Sequence, residues 1–225
     1  MPDSGLLNDI ELLYTGSFPP AERRNFANVK ILLGREDVPF KMIAAVDEGE
    51  LQGFLSYWEF DGFKYIEHFA VDVRKRGNGI GSGLLEHFIS GCGDSPIVLE
   101  VELPETSYDA RRRVDFYMRH CFIIWKHLNY VQPPYEKDGE PVVMRLMSLK
   151  MNDQVKVAEM GEVIRREVYK SIEEYWYLEV NKRWISCVKL HVMKPFLTDY
   201  DKHEKIYKNS HIVWHSGNGI TLDGV

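Results

Sequence analysis

Between Leu6 and Leu33 the apolar residues recur mostly at helical spacing, and Phe18-Pro19-Pro20 interrupts them, because proline lacks an amide donor and restricts the residue before it. Two short helices around that break are predicted. From Phe40 to Val46 and from Leu51 to Phe60 the chain is rich in β-branched and aromatic residues around Glu48-Gly49-Glu50, the pattern of strand, turn, strand. Tyr65 to Val73 is a third strand candidate, apolar nearly throughout, as expected when both sheet faces are covered. After a glycine-rich turn, Ile80, Leu84, Leu85, Phe88 and Ile89 fall on one helical stripe, which Gly91 and Gly93 end.

Pro96 to Leu103 predicts the next strand, followed by a helix from about Ser107 to His120 and strands over Ile123 to Gln132 and Val142 to Ser148. A helix between two strand-like runs implies a right-handed parallel crossover. The class is therefore α/β with a mixed sheet. Beyond Lys150 the character changes: Val155 to Tyr169 predicts an amphipathic helix, Glu173 to Val188 alternates like a strand, and the rest has no clear period. The expected organisation is a domain over residues 1–150 and a C-terminal extension of unassigned role over 151–225.

Composition narrows the function. The net charge is -6, and an acidic chain does not attract phosphate polyanions by its overall field, which argues against general nucleic-acid binding. Cys92, Cys121 and Cys187 show no paired short spacing of a disulfide framework or zinc knuckle, which fits a reducing cytoplasm. No apolar run approaches the ~20 residues of a membrane helix, and Met1 to Glu11 lacks a basic leader region. The expectation is a cytoplasmic protein with no membrane partner and no metal.

The chemistry concentrates in Val71-Asp72-Val73-Arg74-Lys75-Arg76-Gly77-Asn78-Gly79-Ile80-Gly81-Ser82-Gly83, between a strand and a helix. Glycines let the chain turn tightly and let backbone amides approach an anion, and a helix N-terminus adds positive potential. A turn that merely packs a helix on a strand is the competing reading, but four alternating glycines behind three basic residues favour an anionic ligand. No Gly-Lys-Ser/Thr tripeptide is present, so this is not a Walker loop. The dinucleotide fingerprint Gly-x-Gly-x-x-Gly fails in every register, meeting Ser82, Leu84 or Glu86 at its third position.

Arg76-Gly77-Asn78-Gly79-Ile80-Gly81 resembles motif A of the GNAT N-acetyltransferases, Gln/Arg-x-x-Gly-x-Gly/Ala, and Phe116-Tyr117-Met118-Arg119-His120-Cys121-Phe122 is similar to their Phe-Tyr-x-x-x-Gly-Phe motif B. The resemblance covers about residues 5–150. It implies a GNAT-like, mainly antiparallel sheet with a parallel central strand pair and helices on both faces. It further implies that the amides of Arg76, Gly77, Asn78, Gly79, Ile80, Gly81 and Ser82 cradle the pyrophosphate of acetyl-CoA, the co-substrate. The backbone of Phe69, Val71 and Val73 would pair with the pantetheine arm, with the Val71 amide polarising the thioester carbonyl. Tyr117 would protonate the departing thiolate. The implied activity is direct transfer of an acetyl group to an amine of a small molecule or peptide. The alternative is a catalytically silent acyl-CoA-binding sensor or scaffold.

A protonated amine must lose a proton before it attacks, so a general base is expected. Glu67 is the first candidate, inside an apolar strand whose alternation puts Tyr65, Glu67, Phe69 and Val71 on one face and His68 on the other. The competing reading is a glutamate paired with a nearby Arg or Lys. Glu100 and Glu102 share a face of the next strand and could hold a cationic acceptor or act as base; otherwise they are a solvated face. Cys121 stands where motif B has glycine and is expected to be buried and inert. The loops Phe18 to Arg24 and Gln132 to Tyr135 would border the acceptor pocket. The extension could extend the sheet, cover that pocket or build a homodimer contact.

Overall fold

A computed structural model of the chain describes residues 4–136, 139–169 and 190–193. Helix α1 (Ser4–Ser17) buries Leu6, Ile10 and Tyr14, one face at four-residue spacing, and stops before Pro19. A short 3-10 turn over Pro20–Glu22 leads to α2 (Phe26–Leu33), whose first turn is capped by the Asn25 side chain accepting from the Ala27 amide at 3.0 Å. Strands β1 (Phe40–Asp47) and β2 (Glu50–Phe60) form a hairpin across Glu48-Gly49. Both turn residues have positive φ, 48° and 82°, the signature of a tight turn whose twist matches that of the strands.

Strand β3 (Phe63–Val71) pairs antiparallel with β2, crosses over through α3 (Ile80–Gly91) and returns as β4 (Ile97–Glu102), parallel to β3. Helix α4 (Tyr108–Arg119) leads to β5 (Ile123–Ile124), β6 (Tyr130–Gln132) and β7 (Val142–Leu149). After α5 (Gln154–Val168), β8 (Leu190–Met193) pairs parallel with β1. The sheet order is β5-β7-β4-β3-β2-β1-β8, with β6 also on β7. One face buries Phe54, Trp58, Tyr65 and Leu146 under α1, α2 and α5; the other buries Leu55, Ile66, Leu99 and Met147 under α3 and α4. The mixed, mainly antiparallel sheet with a parallel central pair and helices on both faces is thus as expected.

Three local expectations are corrected. The third strand ends at Val71, and Val73 starts a 3-10 turn (Val73–Lys75) because the Asp72 side chain accepts from the Arg74 amide at 2.9 Å. The run Ile123 to Gln132 is divided into β5 and β6 by a turn in which the Leu128 amide donates to Trp125. The alternation along β3 also breaks: Ser56 faces His68 and Tyr57 faces Ile66, so Glu67 is an extra residue, a β-bulge. Side chains beyond the bulge change faces. Tyr65, Glu67 and His68 therefore serve the α1/α2 side, while Phe69 packs on Phe116 of α4. The strand proposed over Glu173 to Val188 lies outside the described residues.

Candidate active site

The glycine bend opens helix α3. Gly77 and Gly79 have φ of 88° and 78°, which side-chain-bearing residues rarely adopt, and Gly79 is the helix N-cap. The bond from the Gly83 amide to the Gly79 carbonyl, 2.9 Å, is the first of the helix, which leaves the amides of Ile80, Gly81 and Ser82 pointing out of its positive end. A Cβ on Gly81 would lie 3.5 Å from Val71 and 3.7 Å from the Phe116 ring, in ordinary contact with both. Ser82 Oγ sits 3.1 Å from His120 Nε2. Of the three basic residues, Arg74 pairs with Asp72 at 2.6 Å and Lys75 with Glu50 at 3.0 Å, while Arg76 Nε donates to the Val71 carbonyl at 3.2 Å.

Beside the bend, the sheet splits. The parallel pairing of β3 with β4 covers only Lys64–Ile97, Tyr65–Val98 and Ile66–Leu99, and stops where the Glu67 bulge begins. The Asp72 amide donates to Gln52 of β2 at 2.9 Å, so by alternation the amides and carbonyls of Phe69 and Val71 face the split. Val73 does not share that edge. On the far wall, Tyr117 of α4 is 8% exposed, and among the described residues its hydroxyl takes no hydrogen-bond partner. Burial raises its pKa above the ordinary phenol value, so the proton stays on oxygen.

Cys121 is exposed, contrary to expectation, and takes the left-handed conformation at φ 66°. It still closes α4 as glycine would: the Phe122 amide donates to Tyr117 at 3.1 Å and the Cys121 amide to Met118 at 3.0 Å, with the Phe122 and Tyr117 rings 5.5 Å apart. Tyr117 is therefore held despite the substitution.

The two candidate glutamates have different surroundings. Glu67 accepts from Arg24 Nε at 2.9 Å and Nη2 at 2.6 Å on one oxygen and from Trp58 Nε1 at 2.8 Å on the other, with its side chain wholly buried. Burial alone would raise its pKa, but Arg24, with His68 and the Trp58 hydrogen bond, together outweigh burial and hold the carboxyl below its ordinary value. This is the ion pair of the competing reading. Glu100 instead accepts from three phenols, Tyr65 at 3.0 Å, Tyr169 at 2.5 Å and Tyr130. Burial raises its pKa to about 7 although those donors pull it down, so it can take up and release a proton near neutrality. Glu102 is paired with Arg113 of α4. Burial lowers the pKa of His68 to about 4, so its ring is neutral, with Nε2 3.0 Å from the Glu22 carbonyl.

One cleft of about 810 Å³ joins these groups, from Gly77 and Ser82 past Phe69 and Tyr117 to Glu100 and Tyr135. Phe18, Glu22 and Gln132 line it, so both proline loops border it as expected. Reasoning from sequence missed Arg24, Tyr65, Tyr130 and Tyr169. Arg24 lies within a loop singled out in the sequence; the tyrosines carry no local motif that ties them to Glu100.

The α3 N-terminus and the strand edge left open by the split thus meet in one cleft. Residues 6–122 match the model of the acetyltransferase (GNAT) family, and the chain belongs to that family of acetyltransferase enzymes. It is similar to a solved structure of a GNAT-family protein from Bacteroides thetaiotaomicron, at 35% identity and TM-score 0.66, covering 73% of this chain and 92% of that one. It is also similar to the Bacillus subtilis (strain 168) protein YjbC, named as an acetyltransferase, at 28% identity over 165 residues, 72% of this chain and 82% of YjbC.

Proposed function

We propose that this enzyme transfers the acetyl group of acetyl-CoA directly to an amine of a small molecule or peptide, with Glu100 rather than Glu67 as general base. The observation that carries this reading is the continuity of the cleft, which joins the free amides of the α3 N-terminus to Glu100 through the split between β3 and β4. The residues fit the co-substrate: positive-φ glycines and free helix amides suit a pyrophosphate, and the open edge of Phe69 and Val71 suits an amide-bearing arm laid alongside as an extra strand. Acetyl-CoA, when bound, supplies the activated acetyl thioester.

The Val71 amide donates to the carbonyl oxygen on which negative charge develops. Glu100 takes one proton from the acceptor ammonium, and the free amine then attacks the thioester carbon. As the C–S bond breaks, Tyr117 gives its proton to the departing thiolate while the nitrogen loses its second proton to solvent, from which Tyr117 is reprotonated. Glu67 holds Arg24 and thereby the loop that borders the acceptor. Of the glutamates lining the cleft, Glu67 and Glu102 are paired with Arg24 and Arg113, which leaves Glu100 and Glu22, whose pKa burial raises against the pull of Arg113, to face an acceptor and favours a cationic one. We extend the catalytic unit through Tyr169 rather than ending it at residue 150, because Val157, Ile164 and Val168 of α5 belong to the main core.

Release of free CoA thiol from acetyl-CoA with spermidine, alaninamide and kanamycin tests the reading. Turnover on one of them that falls at least tenfold in Glu100→Gln supports it. A neutral acceptor acetylated faster than all three contradicts the cationic assignment.

A further inference from the structure

The family match ends at Phe122, yet a side chain from far beyond it hydrogen-bonds Glu100, which lines the cleft. Gly161 of α5 lies so close to the sheet that a Cβ there would be 3.0 Å from Leu146 and 3.2 Å from the Tyr130 ring. At the end of that helix, the Val168 carbonyl accepts from Arg24 Nη2 at 3.0 Å, the same nitrogen that binds Glu67. These two contacts fix where α5 ends, and the next residue, Tyr169, enters the cluster around Glu100. Its hydroxyl donates to Glu100 Oε2 at 2.5 Å, lies 3.2 Å from the Tyr65 hydroxyl and accepts from Tyr135 at 3.5 Å.

We propose that Tyr169 is a positioning residue for acetyl transfer: it orients the Glu100 carboxylate and favours its ionised form, so the segment after the family domain sets the pH at which the enzyme works. The inference rests on Glu100 as the base. The ionisable groups facing Glu100 are Tyr65 and Glu67 from β3, Tyr130 from β6, Tyr135 from the following loop and Tyr169, with Arg165 of α5 behind the Tyr130 ring at 5.0 Å. The β7 residues across from β4, Met144 and Leu146, are apolar. Among the donors, Tyr169 alone comes from beyond β7. Removing its hydroxyl takes a hydrogen bond from the ionised carboxylate and moves the acid limb of activity to higher pH.

The test is the pH profile of kcat/KM for acetyl-CoA with whichever of spermidine, alaninamide or kanamycin turns over fastest, in the full chain. Tyr169→Phe is expected to raise the midpoint of the acid limb by about one unit, with the KM for acetyl-CoA unchanged. A limb that stays in place in Tyr169→Phe while Glu100→Gln loses activity overturns the role of Tyr169 and leaves Glu100 as base. Wild-type activity in Glu100→Gln overturns the base assignment and the inference together. If Tyr169→Phe fails to fold by circular dichroism, 3-fluorotyrosine at 169 keeps the hydroxyl and strengthens its donation, so the limb must move to lower pH; an unmoved limb again overturns the proposal.

Discussion

Glu67 and Glu100 are both withdrawn from water, and their neighbours drive them in opposite directions. Arg24 holds Glu67 ionised, so Glu67→Gln strands a buried guanidinium and is expected to cost about 3 kcal/mol of stability, read by urea unfolding. Unchanged stability would contradict the ion-pair role. Glu100 accepts hydrogen bonds only from neutral phenols, and burial, with the nearby Glu67 charge, raises its pKa from 4.5 to about 7. A raised carboxyl pKa means the folded state binds the proton more tightly, so the group's contribution is full below about 4.5 and is lost as pH climbs through about 7. The shift corresponds to about 3 kcal/mol. Glu100→Gln should therefore flatten the fall in stability between those pH values, and a slope identical to wild type would contradict the shift. Tyr117→Phe should lower kcat at least tenfold with CoA affinity unchanged; equal loss of both would make Tyr117 a packing residue.

At the scale of elements, the helices and most strands were legible because their apolar periods are strong, and the parallel crossover followed from a helix lying between two strand runs. The bulge was not legible. It inserts one residue without a sequence mark of its own, and it moved His68 onto the face of Tyr65 and Phe69 off it. The glycine bend was legible because positive φ requires glycine at 77 and 79, whereas the partners of Glu100 come from β3, β6 and the end of α5, which no local pattern connects. The α4 cap gives a prediction of its own. Cys121→Gly relieves a left-handed conformation that costs roughly 1–2 kcal/mol, offset in part by the greater freedom of glycine in the unfolded chain, so a small rise in Tm is expected. A fall in Tm would contradict a strained cap.

In the whole molecule, the sheet is continuous where it carries the core and open where β3 and β4 part. The α1/α2 loop and α4 line that opening, and Arg24 ties its loop to β3 through Glu67, to α5 through the Val168 carbonyl and to the segment after β6 through the Tyr135 ring at 4.7 Å. The central claim is that the bend after β3 holds the diphosphate of coenzyme A. Isothermal titration calorimetry of the full chain with coenzyme A tests it directly: the account predicts one-to-one binding that Gly81→Asp abolishes, and no heat at millimolar coenzyme A from the folded wild-type protein would contradict it.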